Sequence, residues 1–198
     1  MTTFKKIVRY IVNNILYKVT IYDDGNISKN KSLIICPNHS KFMDGIIMWA
    51  NNDNVNVMAK KEIFKDKFLS KILRKNGVFP VDRGNFDVEA IRNSINILEK
   101  GNLIVFPHGT RKFGRIEDNI HEIKKGVVLI ARKANAGLIP TYITEGYKLF
   151  SKVNIVYGKI YIPENNNKLS DHLQMESDKE NLANGILECK KKVRKLKK

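Results

Sequence analysis

His39 and Asp44 stand five residues apart in the stretch Pro37-Asn38-His39-Ser40-Lys41-Phe42-Met43-Asp44. A carboxylate that accepts a hydrogen bond from one imidazole nitrogen leaves the other nitrogen as a base. An imidazole near its unperturbed pKa of about 6.5 takes a proton from an alcohol at neutral pH. Geometry restricts how the pair can meet. Five residues along an α-helix turn through about 500°, which puts the two side chains on different faces. They meet only if His39 precedes a helix and Asp44 lies in its first turns. The flanks agree, because Leu33-Ile34-Ile35-Cys36 reads as a buried strand and Gly45-Ile46-Ile47-Met48-Trp49-Ala50 as a helix body. Ser40 then reads as the N-cap between them. No separate covalent nucleophile stands nearby, so the hydroxyl to be activated would come from a substrate.

Two more polar loops follow strand-like runs. One holds Asp82, Arg83 and Gly84; the other holds His108, Gly109, Thr110 and Arg111. Arginine grips phosphate through two parallel hydrogen bonds, and glycine lets the backbone come close. Thr110 adds a hydroxyl donor. Together the three loops suit a phosphate ester that carries a free hydroxyl. Plainer roles exist for the same residues: Arg83 pairing with Asp82 or Asp87, and Arg111 as a surface charge. As metal ligands His39 and Asp44 make at most two, and His108 and His121 add no ligand spacing. Neither G-x-x-x-x-G-K-[ST] nor G-x-G-x-x-G occurs, so nucleotide binding by those loops is unsupported.

The elements that must position these loops alternate between strand and helix. Strands are expected at 19–22, 33–36, 55–59, 78–81, 103–106, 138–143 and 153–162. Helices are expected at 45–50, around 64–73, at 85–100, at 124–136 and at the C-terminus, where Leu182, Ile186, Cys189, Val193 and Leu196 share one face. Gly77, Gly101 and Gly137 read as helix stops, and Pro140 is expected at a strand end or a sheet edge. This alternation implies an α/β fold: a single domain with a mixed, mostly parallel β-sheet flanked by helices. In such sheets the working loops lie at the carboxyl ends of the strands.

At 198 residues the chain is long enough for one domain with a full core. No apolar run reaches the roughly 18 residues of a membrane span, and no signal-peptide pattern is visible. Cys36 and Cys189 form neither a disulfide framework nor a metal motif, and fit a reducing compartment. The net charge of +16 concerns partners, not fold. It is concentrated at the ends: Lys5, Lys6, Arg9 and Lys18 at the start, and Lys190, Lys191, Lys192, Arg194, Lys195, Lys197 and Lys198 at the finish. Phe4, Ile7, Ile11 and Ile15 make one apolar stripe, so residues 1–19 read as a short amphipathic helix that meets a membrane interface or docks on the domain of residues 20–198. The basic C-terminal helix adds a second cationic element for an anionic membrane surface. Nucleic acid is not expected as a partner, since aromatic residues do not interleave with the basic runs.

Several segments in order resemble one family. Asn38-His39 with Asp44 is similar to the N-H-x4-D motif of the glycerolipid acyltransferases, and the chain most resembles bacterial 1-acylglycerol-3-phosphate (lysophosphatidate) acyltransferases from about residue 20 to 162. Lys60-Lys61-Glu62-Ile63-Phe64, Phe79-Pro80-Val81-Asp82-Arg83-Gly84 and Phe106-Pro107-His108-Gly109-Thr110-Arg111 look like later blocks, as do Lys124-Lys125-Gly126 and Ile139-Pro140. The resemblance implies that His39 is the general base toward the sn-2 hydroxyl of lysophosphatidate and that Asp44 orients it. Acyl-CoA or acyl carrier protein would be the donor and phosphatidate the product, with no metal or bound cofactor. Arg83, His108, Gly109, Thr110 and Arg111 would lie at the acceptor's phosphate. Contact with the cytoplasmic face of the membrane would be peripheral. One departure stands out: His108 occupies the place of a family glutamate. This leaves open another lysophospholipid or glycerol 3-phosphate as acceptor, or a silent membrane module.

Overall fold

The computed structural model describes residues 2–23, 32–82, 87–111, 117, 122–163 and 171–196. Its centre is a seven-stranded sheet made of β1 (Lys18–Tyr22), β2 (Leu33–Pro37), β3 (Val55–Lys60), β4 (Val78–Val81), β5 (Asn102–Ile104), β6 (Gly137–Ile143) and β7 (Lys152–Tyr157). The order across the sheet is β1-β7-β6-β2-β5-β3-β4. Strands β6, β2, β5, β3 and β4 run parallel, whereas β7 pairs antiparallel with β6 and carries β1 alongside it. The sheet is therefore mixed and mostly parallel, as the alternation of elements implies. β2 lies at its middle with every residue buried, which accounts for an uninterrupted apolar run rather than an alternating one.

Helices cover both faces, and alternate residues of each strand serve opposite sides. Ile34, Cys36, Leu138 and Tyr142 pack with α4 (Val88–Leu98), α5 (Lys125–Ala134) and α6 (Asp171–Leu196). Leu33, Ile35, Ile139 and Ile143 pack with α2 (Met43–Ala50) and with the N-terminal element. The two basic ends of the chain thus lie on opposite faces of the sheet. α3 (Lys67–Lys75) follows β3 through a single 3-10 turn at Lys61–Phe64. Leu182, Ile186, Cys189 and Val193 are buried as expected, and the side chain of Leu196 lies outside the described residues.

The N-terminal element departs from a plain amphipathic helix. α1 (Thr3–Tyr10) passes into a π-helical turn, Ile11–Leu16. The apolar stripe is left largely uncovered, although Phe4 lies against Trp49 with ring centroids 6.2 Å apart. Phe4, Ile7, Ile11 and Ile15 are all exposed, with Ile7 at 55% and Tyr10 beside them at 64%. The basic side faces inward instead. Lys5 Nζ donates to the Asn52 carbonyl, Arg9 Nε to the Ala50 carbonyl at 2.6 Å, and Arg9 also pairs with Asp53. Those carbonyls are at the C-terminal end of α2, where the helix dipole favours cations. Burial lowers the Lys5 pKa to about 8, against the opposing pull of Asp53.

Two boundary expectations are corrected. α5 ends on Asn135 in the left-handed conformation (φ 49°) and not on Gly137. Gly137 opens β6, where a Cβ would sit 2.7 Å from the Ile160 side chain. Pro140 lies mid-strand in an interior position, paired with Cys36. It is tolerated because its carbonyl takes the Gly158 N–H while pairing with β7 slips by one residue between there and the Leu138–Tyr161 bridge. A proline at a bulge removes no ladder hydrogen bond.

Candidate active site

The first loop leaves the middle of the sheet at Asn38. This side chain continues the ladder where the backbone departs: Nδ2 donates to the Ile143 carbonyl at 3.0 Å, and Oδ1 accepts from the Ile143 N–H at 2.8 Å. An amide is the one side-chain group that copies both sides of a peptide. His39 then falls in the turn, and Asp44 in the first turn of α2, as the spacing requires. The Asp44 carboxylate is fully buried. Its Oδ2 lies 3.1 Å from His39 Nδ1 and accepts the backbone N–H groups of Ser40 and Lys41, each at 2.7 Å. The carboxylate therefore holds the whole turn together, reaching backward as the acidic member of a capping box does.

Ser40 is not the N-cap. Phe42 occupies that position without a side-chain hydrogen bond, and the Ser40 hydroxyl is buried with no partner among the described residues. Asp44 has taken the capping role from inside the helix. A fourth donor comes from far away in sequence. Tyr147, in the segment between β6 and β7, donates its hydroxyl to Asp44 Oδ1 at 2.6 Å. No sequence signal pointed to it, because its partner lies 103 residues away and a contact of that range leaves no local period. Four donors offset the cost of burying this anion.

The His39 ring rests on Phe106, with centroids 4.1 Å apart, so the end of β5 meets the turn after β2. This contact brings the first and third loops together. Gly109 has φ +70°, a conformation that favours glycine. Thr110 and Arg111 are exposed, whereas His108 is buried. Arg83 and Gly84 lie outside the described residues, as does His121. Before them, Lys61 pairs with Asp82, and the Asp82 N–H bonds Asp87, which caps α4 through Ala90 N. Among the described residues no group of three His, Cys, Asp or Glu side chains is arranged to hold a metal ion.

A pocket of about 390 Å³ opens at His39. Phe4 and Val8 of α1, Ile46 and Trp49 of α2, and Leu69, Ile72 and Leu73 of α3 line it, with Ala59 and Lys60 at the end of β3. The lining is almost wholly apolar. With Nδ1 turned to Asp44, the Nε2 edge is the one left to the pocket. A larger, open groove of about 860 Å³ lies at the amino ends of β3, β4 and β5, among asparagines and lysines. Among the described residues it is lined by no acid or histidine, so the space beside His39 is the smaller pocket.

Comparison with known proteins agrees with this architecture. The family model described as Acyltransferase matches residues 18–144. The chain belongs to the acyltransferase family. A 1-acyl-sn-glycerol-3-phosphate acyltransferase of Bacillus subtilis is 31% identical to this acyltransferase over 140 residues, covering 68% of each chain. One from Streptococcus pneumoniae is 37% identical over 89 residues, which is 44% of this chain and 31% of that one. The crystal structure of the 1-acyl-sn-glycerophosphate (LPA) acyltransferase PlsC from Thermotoga maritima superimposes with a TM-score of 0.63 over 87% of this chain and 72% of its own; at 24% identity it speaks for the fold. The matched region contains His39, Asp44 and the three loops, and ends before Tyr147.

Proposed function

We propose that this acyltransferase moves a fatty acyl group from the thioester of acyl-CoA or acyl carrier protein to the sn-2 hydroxyl of lysophosphatidate, forming phosphatidate. The observation that carries the reading is His39, bound through Nδ1 to buried Asp44 and lying at the mouth of the apolar pocket. The names of the Bacillus and Streptococcus relatives support the acceptor. His39 Nε2 takes the hydroxyl proton as the oxygen attacks the thioester carbonyl. The tetrahedral intermediate collapses, the C–S bond breaks, and the leaving thiolate receives the proton from the imidazolium. Asp44 stabilises the imidazolium in between. No acyl-enzyme, metal or bound cofactor enters this sequence. The acyl chain occupies the pocket, where burial contributes about 0.8 kcal/mol per methylene. Arg83, Gly109, Thr110 and Arg111 hold the phosphate.

Both substrates carry lipid chains, so the pocket must open near a membrane. No helix among the described residues is long and apolar enough to cross one. Contact is instead monotopic, on the cytoplasmic face. The surface for it is the exposed stripe of Phe4, Ile7, Ile11 and Ile15 with Phe42, and Phe68 of α3, which is 75% exposed among lysines. An apolar strip of this kind, flanked by lysine and arginine, suits an anionic interface. The basic end of α6 lies on the other side of the sheet, and part of its charge is spent internally: Lys190 pairs with Glu117 at 2.5 Å and Glu145 at 2.6 Å.

A second reading concerns the acceptor. His108 stands buried beside exposed Thr110 and Arg111, so an acceptor other than lysophosphatidate, such as another lysophospholipid or glycerol 3-phosphate, fits the altered loop. The experiment offers purified protein lysophosphatidate, other lysophospholipids and glycerol 3-phosphate, each with acyl-CoA or acyl carrier protein. Turnover fastest with lysophosphatidate supports the first reading and another ranking the second. No turnover with any pair contradicts both and leaves a silent membrane module. An unchanged ranking and turnover in His108→Glu removes His108 from acceptor choice.

A further inference from the structure

Asp44 presents two oxygens to different partners. Oδ2 serves His39 Nδ1 and two backbone N–H groups, while Oδ1 receives one donor among the described residues, the hydroxyl of Tyr147. We propose that Tyr147 is a positioning residue for the His39–Asp44 pair, its hydroxyl pinning Oδ1 so that Oδ2 faces the imidazole. The inference rests on the reading of His39 as the base.

The ring that carries this hydroxyl is itself held on several sides. Tyr17 meets it edge-on at 5.2 Å, Lys41 Nζ lies 5.1 Å above its face, and the same ammonium donates to the Tyr147 backbone carbonyl. Lys41 belongs to the catalytic turn and also gives its backbone N–H to Asp44. The turn and the segment after β6 are therefore tied twice, once through Asp44 and once through Lys41. Burial, and then the negative charge of Asp44, push the Tyr147 hydroxyl well above the usual phenol range. It remains a donor throughout the pH range in which an imidazole titrates. Among the described residues, the titratable and charged groups against the pair are Lys41 from its own turn and Tyr147 from the segment after β6; Tyr17, which precedes β1, meets the Tyr147 ring, and Lys60 at the end of β3 lines the same pocket as His39.

A buried hydroxyl needs an acceptor whatever else it does, so a positioning role must be told from simple packing. The two differ in what His39 experiences. A carboxylate that loses a donor keeps more of its charge for its remaining partners. The imidazolium then gains stability and gives up its proton less readily. Removing the Tyr147 hydroxyl must therefore move the His39 titration to higher pH, whereas a packing role leaves it in place.

The test uses the full chain with ¹⁵N-labelled histidine. The sequence has four histidines, and His39 is assigned by its loss in His39→Gln. In Tyr147→Phe the proton affinity of His39 is expected to rise at least threefold. Where the enzyme is active, kcat falls about ten- to a hundredfold, the loss of one hydrogen bond to a charged group. KM stays within about threefold, and the acid limb of the pH–rate profile moves the same way as the titration. A His39 titration unchanged in Tyr147→Phe overturns the proposal, whatever happens to kcat. A second measurement needs no variant and covers the case in which Tyr147→Phe does not fold. In the native chain the Tyr147 hydroxyl proton must change its chemical shift with the same midpoint as His39; an independent midpoint overturns the proposal too. Neither nuclear measurement uses substrate. Absence of acyl transfer would count against the proposed function alone.

Discussion

Two buried aspartates in this molecule are held in nearly the same way and, under the proposed mechanism, do different work. Asp178 on α6 accepts Arg132 Nε at 2.9 Å, a second Arg132 nitrogen, and the hydroxyl of Tyr161. Asp44 on α2 accepts the hydroxyl of Tyr147 and two backbone N–H groups, and faces His39. Each carboxylate is closed off from water and each has a tyrosine whose hydroxyl is pushed upward by burial and by the carboxylate. The cationic partner makes the difference. Arg132 is permanently charged, presents its fork to the carboxylate and extends another nitrogen to Asp171 at 3.0 Å. The result is a clamp between α5 and α6. Through Tyr161, which bridges Leu138, it also reaches β6. Histidine is a side chain that can gain and lose a proton; His39 spends one nitrogen on Asp44 and keeps the other edge at a pocket. A buried carboxylate becomes useful for chemistry when its partner can titrate and has an open side.

This contrast sets what each disruption should do. Asp44→Asn is expected to reduce acyl transfer by about a hundredfold or more, within the range of general-base contributions, when assayed at a temperature where the variant stays folded. An amide gives the imidazole the wrong partner for the tautomer that leaves Nε2 bare. Retention of more than half of the native rate would remove Asp44 from the chemistry. Asp178→Asn should do the reverse. Breaking a buried pair from one side costs about 3–5 kcal/mol, read as a lowered urea midpoint. Specific activity below the transition should stay within about twofold, and a changed pH–rate profile would mean that the two carboxylates are not distinct in function.

Smaller effects sharpen the comparison. Ala59→Phe narrows the pocket at the open side of His39. Competition between long- and short-chain donors should shift toward the short chain by roughly tenfold, on the scale of a few buried methylenes. An unchanged preference would place the acyl chain elsewhere. Tyr161→Phe is the matched control for Tyr147→Phe. It should cost about 1–3 kcal/mol of stability, the scale of a hydrogen bond to a charged group, and leave turnover at the native rate. A kinetic effect equal to that of Tyr147→Phe would erase the distinction between clamp and site.

The sequence carries these two clusters unequally. His39 and Asp44 were legible because their spacing fits a strand-to-helix turn, because strand and helix patterns flank them, and because Asn38-His39 with Asp44 is similar to the N-H-x4-D motif. The cap was misassigned to Ser40, since propensity alone does not show that a carboxylate inside the helix already serves the turn's N–H groups. Tyr147 and the Arg132–Asp178 clamp were silent, because each joins elements brought together only by the sheet order. The parallel sheet could be read from buried apolar runs, but the position of Pro140 could not. Its tolerance depends on a slip in pairing with β7. The apolar stripe of α1 was visible, and the direction it faces was not. Lys5 and Arg9 decide that by binding the end of α2. Arg83 lies outside the described residues, so its place at the acceptor phosphate rests on the loop pattern.

The central claim is that His39 removes the acceptor's hydroxyl proton. The most direct measurement is the initial rate of phosphatidate formation by the native chain and by His39→Gln on anionic vesicles, with lysophosphatidate and a long-chain acyl thioester. Both proteins must first show the same Tm and the same vesicle binding. The expected result is a rate about a thousandfold or more below native for His39→Gln. A variant that folds, binds vesicles and keeps a tenth of the native rate would contradict the account.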